Sequence, residues 1–138
     1  MGPTVEPSHV AAHWEGAGTL VWPRRDPTAV VLGDGRVLVL GETGGKYEEV
    51  PGVSRFAELW DPASGTWRET ESLPKARGSF AAVTRRDGRA LVAGGVNDTW
   101  FSYSSAYVFD PATERWTKLG LMDTARTDPA VAVLADGR

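Results

Sequence analysis

Three tryptophans, Trp14, Trp67 and Trp116, are each followed ten positions later by an arginine: Arg24, Arg77 and Arg126. Each arginine is followed after ten more by an Asp-Gly-Arg triplet, starting at Asp34, Asp87 and Asp136. Successive copies lie 53 and then 49 residues apart. A period of that size marks a repeat architecture, in which one supersecondary unit is copied and buries its faces only against its neighbours.

Each unit reads as four short strands. Apolar runs at 28–32 and 79–84 precede Asp-Gly, and further runs at 36–40 and 89–93 follow it. Asp-Gly between two such runs predicts a type I′ hairpin turn, with positive φ at both central residues. Strand three is expected at 56–60 and 106–109, closed by Asp61-Pro62 and Asp110-Pro111. There the aspartate can cap local backbone and proline presets the turn. Strand four begins at Trp67 and Trp116. Runs such as Val30-Val31-Leu32 are apolar on both faces, which suits a sheet covered on both sides. No segment has helical periodicity.

The copies differ where strand two runs into strand three. Asp34 to Asp61 is 27 residues and Asp87 to Asp110 is 23, and the difference lies in this loop. The loops span 42–55 and 96–105. Function on a repeat scaffold is usually carried by such variable loops. Trp100, Phe101 and Tyr103 are therefore candidate contact residues, since aromatics are enriched at binding hot spots. The alternative is that they fold back over the blade edge. Tyr47, Arg55 and the acidic pair Glu48 and Glu49 are weaker candidates.

The unit resembles the kelch repeat, whose pattern has an arginine before strand one, a glycine pair after strand two, an Asp-Pro turn and a tryptophan at strand four. Here these are Arg77, Gly94-Gly95, Asp110-Pro111 and Trp116. In the first unit Arg24, Asp61-Pro62 and Trp67 match, but Glu42 replaces the second glycine. Glu114 stands in the second unit where the first has Gly65. The resemblance implies an all-β fold, a kelch-type β-propeller in partial form. Its expected parts are an N-terminal segment 1–20 with the outer strand of a closing blade, blades at 24–76 and 77–125, and an unpaired first strand of a third unit at 126–138. The motif residues are read as structural. Trp67 and Trp116 are expected to fill the gap between adjacent blades, Trp14 to lie in register with a fourth strand, and Arg24, Arg77 and Arg126 to donate to carbonyls of the neighbouring blade. Gly94 and Gly95 allow close approach or positive φ.

Because propellers close with about four to eight blades, the chain is expected to be the N-terminal portion of a longer protein, a monomer once complete. Net charge is −3 with both signs interspersed, so no basic stripe points to nucleic acid. No apolar run reaches the roughly 18 residues of a membrane helix, leaving the cytoplasm as the default expectation. There is no cysteine, so no thiolate site can form, and His9 and His13 lack a third ligand nearby. No catalytic residues, metal or cofactor are expected in these residues. The leading functional expectation is an interaction scaffold that binds a protein or glycan through the loops joining strands two and three. The alternative, implied by the galactose-oxidase branch of kelch propellers, is a domain of a copper-radical or carbohydrate-active enzyme with its site elsewhere.

Overall fold

The computed structural model describes residues 15–43 and 53–138. Trp14, His9, His13, Tyr47, Glu48 and Glu49 lie outside them. The described residues form eight strands: β1 (Arg24–Val31), β2 (Val37–Thr43), β3 (Ala57–Asp61), β4 (Thr66–Thr70), β5 (Ala81–Thr84), β6 (Ala90–Ala93), β7 (Ser105–Asp110) and β8 (Arg115–Leu121). They make two four-stranded antiparallel meanders, β1-β2-β3-β4 and β5-β6-β7-β8. Register is set by cross-strand apolar sets such as Val30, Leu38 and Leu59 in the first sheet, and Ala90, Phe109 and Trp116 in the second.

The Asp-Gly hairpins differ from a type I′ turn. Gly35 N–H donates to Leu32 O at 3.0 Å and Leu32 N–H to Arg36 O at 2.8 Å. Only the glycine has positive φ (87°); Asp34 does not. This is the three-residue loop, a tight turn followed by a left-handed glycine bulge. The extra residue is tolerated because the Asp34 carboxylate accepts from both the backbone N–H and the guanidinium of Arg36. Arg85–Arg89 repeats the geometry, with bonds of 2.9 and 2.8 Å, and so does Leu134–Arg138, with 2.9 and 2.6 Å. Yet residues 130–134, expected as a strand, pair with no strand among the described residues.

One core joins the two sheets. Leu32, Leu38, Leu40, Ala57, Leu59 and Leu73 of the first unit pack with Phe80, Ala90, Val92 and Phe109 of the second. Trp116 packs against this cluster and its indole N–H donates to Glu71 O at 2.8 Å. The first-unit counterpart is similar: Trp67 Nε1 donates to Ala17 O at 2.7 Å. Residues 17–24 thus stand to the first sheet much as 71–77 stand to the second. The segment is held by Glu58, whose buried carboxylate accepts from the N–H groups of Val21 (2.6 Å) and Trp22 (3.3 Å) and pairs with Arg24 at 2.8 Å.

Two of the repeat arginines, Arg24 and Arg77, act within their own sheets rather than across to the next. Arg24 donates to Gly41 O and Phe56 O, each at 3.2 Å. Arg77 donates to Gly94 O (2.7 Å) and Ser105 O (3.3 Å). The reason is position: each arginine enters strand one beside the point where strands two and three part, and it satisfies carbonyls there. Arg126 is exposed and makes no side-chain hydrogen bond among the described residues. The crossing role falls to other arginines. Arg36 reaches Pro111 O and Glu114 Oε1, each at 2.6 Å, and Arg68 grips both oxygens of Glu114.

Candidate interaction surface

The β6–β7 loop is a small, internally bonded hairpin. Val96 bridges to Ser102 on one side and to Gly78 on the other. Asn97 organises the tip: its Oδ1 accepts from Thr99 N–H (3.0 Å), the Thr99 hydroxyl (2.9 Å) and Phe101 N–H (2.8 Å). Its own carbonyl accepts from Trp100 N–H at 3.0 Å. An asparagine side chain bonding backbone two residues on is a turn-forming device, and Asn97 is its signal in the sequence. The turn places Trp100 in the left-handed region at φ 62°. For a bulky residue that conformation is a genuine outlier.

The three loop aromatics divide into two kinds. Trp100 is 82% exposed and Phe101 66%. Tyr103 instead turns inward. Its ring lies 4.7 Å from the Arg77 guanidinium and takes the edge of Phe101 at 6.1 Å. Lys75 Nζ approaches the same ring at 5.5 Å.

Arg77 is wholly buried and faces no carboxylate among the described residues. The equivalent Arg24 pairs with buried Glu58; in the second unit the aligned position is Tyr107. Arg77 lies between the rings of Tyr103 and Tyr107, at 4.7 and 5.0 Å, and donates to Ser105 Oγ at 3.0 Å. Burial lowers its pKa, opposed by the two tyrosines. Its Nε finds no acceptor among the described residues. Cation–π contact is the remaining compensation for an ion removed from water.

The two loop regions meet where Val53 N–H donates to Asp98 Oδ1 at 2.8 Å. Arg55 is exposed on the adjoining stretch. Gly94 and Gly95 lie beneath. A Cβ on Gly94 would stand 2.7 Å from Arg126 O, and one on Gly95 2.6 Å from Gly78 O, so both positions exclude a side chain. A separate cleft of about 320 Å³ is lined by Asp26, Thr28, Gly41, Gly78, Ser79, Phe80 and Asp128. Asp26, Ser79 and Asp128 occupy equivalent positions and share a left-handed backbone, at φ 46°, 48° and 48°. Among the described residues no three His, Cys, Asp or Glu side chains gather as a metal site.

The kelch motif matches residues 77–122. The chain is 32% identical over 113 residues to the Kelch-like protein terF of Aspergillus terreus, covering 76% of this chain and 23% of that protein. The chain thus spans about a quarter of that relative's length. Among solved structures, YjhT superposes with a TM-score of 0.63 at 20% identity, over 73% of this chain and 39% of that one. A fungal alcohol oxidase of the AA5 family, solved in complex with copper, gives 0.50 at 24% identity, over 67% and 18%. At such identities these structures speak for the fold: a propeller built of meanders like the two seen here. With its matched motif, its repeat spacing and its two four-stranded blades, the chain belongs to the kelch-repeat β-propeller family.

Proposed function

We propose that this chain is a segment of a kelch-repeat propeller serving as an interaction scaffold, and that it contacts a protein partner through the β6–β7 loop. The observation that carries this is the display of Trp100 and Phe101, adjacent and exposed, on a loop tip whose amides at 99–101 are all bonded to Asn97. Strained conformations persist where the surroundings over-determine them, and they cluster at functional sites. Trp100 and Phe101 are the anchors in this reading. Arg55 adjoins them from the β2–β3 loop, while Tyr103 supports from beneath; Tyr47 lies outside the described residues. In the same reading residues 24–76 and 77–125 are successive blades, 126–138 opens a third, and the N-terminal segment completes a blade beside the first.

The test compares the chain with a Trp100→Ala/Phe101→Ala variant in proximity crosslinking and quantitative affinity measurement, with Leu119→Ala as a surface control. A partner held by the wild type and the control should bind the double variant at least about tenfold more weakly, as expected for hot-spot truncation. Unchanged affinity would remove the loop from the interface. Binding on a glycan array and to no protein would replace the protein partner with a carbohydrate. The enzymatic alternative rests on the shared fold alone, and it places the reacting groups outside these residues.

A further inference from the structure

Resting on that reading of the tip, we infer that Arg77, besides its place in the repeat, is a positioning residue for the contact loop, acting through Tyr103. The first unit shows what the arginine needs at minimum: Arg24 takes strand-end carbonyls and a buried carboxylate, Glu58. The second unit has given up that carboxylate. Tyr107 occupies the aligned position, and Tyr103 stands where the first unit has Ser54. The cation is now held by two rings, and one of those rings belongs to the variable loop. Fixing Arg77 therefore fixes Tyr103, which a carboxylate on β7 would not do.

From Tyr103 the constraint passes to the tip by short, named steps. Tyr103 N–H donates to Gly95 O at 2.8 Å, and its carbonyl accepts from Arg126 N–H at 3.2 Å. Its ring takes the edge of Phe101. Phe101 is bonded at both backbone groups to Asn97, its N–H to the side chain and its carbonyl to the Asn97 N–H at 3.1 Å. Trp100, between them, has no freedom left in its backbone N–H. The tip is thus prepared in one conformation before any partner arrives, which lowers the ordering cost of binding. The rings at Tyr103 and Tyr107 also explain how a wholly buried guanidinium persists with no counter-ion among the described residues: aromatic faces supply attraction without a second buried charge.

Hydrogen exchange on the full chain, with no partner present, tests the inference separately from the binding reading. Tyr103→Leu should accelerate exchange of the amides at 99–101 about tenfold or more, while β7 and β8 keep wild-type protection. Tyr103→Phe should restore wild-type exchange, because it keeps the ring and loses only the hydroxyl. Wild-type exchange at 99–101 in Tyr103→Leu would overturn the positioning role. Equal acceleration across the whole second blade, or failure of Tyr103→Phe to rescue, would overturn it too, marking Tyr103 as blade packing only. Should exchange behave as expected while Trp100→Ala/Phe101→Ala binds normally, the loop is pre-organised but the contact reading is wrong.

Discussion

Glu114 shows how much one residue of a repeat can deviate when its neighbours compensate. Its place in the first unit is held by Gly65, and both adopt left-handed backbone, φ 55° and 67°. A side chain there costs on the order of 1–2 kcal/mol. The carboxylate offsets this by accepting from Arg36 and Arg68, both in the preceding blade, and from Thr70 Oγ1 at 3.2 Å. The Arg68 hydrogen bond first, and that of Arg36, lower its pKa from the ordinary value of 4.5 to about 2. A depressed carboxylate contributes stability in full above its unfolded pKa and loses it as pH falls through the folded one. Stability against equilibrium unfolding should therefore fall as pH drops from about 4.5 to 2, and Glu114→Gln should flatten that part of the profile. At neutral pH, Glu114→Ala should be less stable than Glu114→Gly by about 1 kcal/mol, since alanine keeps the strain and loses the ion pairs. If the two variants unfold alike, strain is not what glycine relieves there.

At the scale of elements, the eight strands and the places of their turns were legible in the sequence, though not the type of the Asp-Gly turn. The Asp-Gly and Asp-Pro signals are local, and local chemistry satisfies them: Asp61 and Asp110 each accept from the N–H two residues on, at 2.8 Å. What joins blade to blade was not legible. Arg36 finds Glu114 across 78 residues, and Glu71 finds Trp116 across 45. Nothing in the motif indicates which of many arginines crosses and which, like Arg24 and Arg77, stays within its sheet. Of the candidate site, the aromatic loop could be read but its division could not, because Tyr103 and Trp100 differ in surroundings rather than in type. The turn-to-turn contact is equally hidden. Gly33 N–H donates to Gly88 O at 2.9 Å, and a Cβ on Gly33 would stand 2.5 Å from the Gly88 Cα. Gly35, two residues on, has open space around it but a φ of 87°. Gly35→Asn should therefore cost a few tenths of a kcal/mol up to about 1, because asparagine tolerates that backbone. Gly33→Ala should cost more and should part the two turns. Denaturant midpoints of the two variants check the order, and the reverse order would mean that the turns yield.

For the molecule as a whole, the shared core decides how the blades fail. Phe109 is fully buried and meets Trp116 in a tilted ring contact at 5.1 Å, in the same cluster as Leu38, Leu40 and Leu59 of the first blade. Phe109→Ala should cost about 3–5 kcal/mol. The loss should lower protection in β2 and β3 as well as in β6 and β7, giving a single transition by every probe. Two separated transitions would show that each blade is its own folding unit.

The Asp-Gly-Arg turn, finally, has a consequence for the order in which structure is gained. It closes at Leu134–Arg138 with the same bonds as at Leu32–Arg36, although residues 130–134 lie in no ladder among the described residues. A turn that holds its shape without its strands is a local event, and hairpins form in microseconds, before distant contacts are searched. Each copy thus carries its own starting point, and the chain can begin folding at several places along its length. The long-range clasps of Glu71 and Glu114 then act late: they govern how slowly the assembled blades come apart more than how quickly they form.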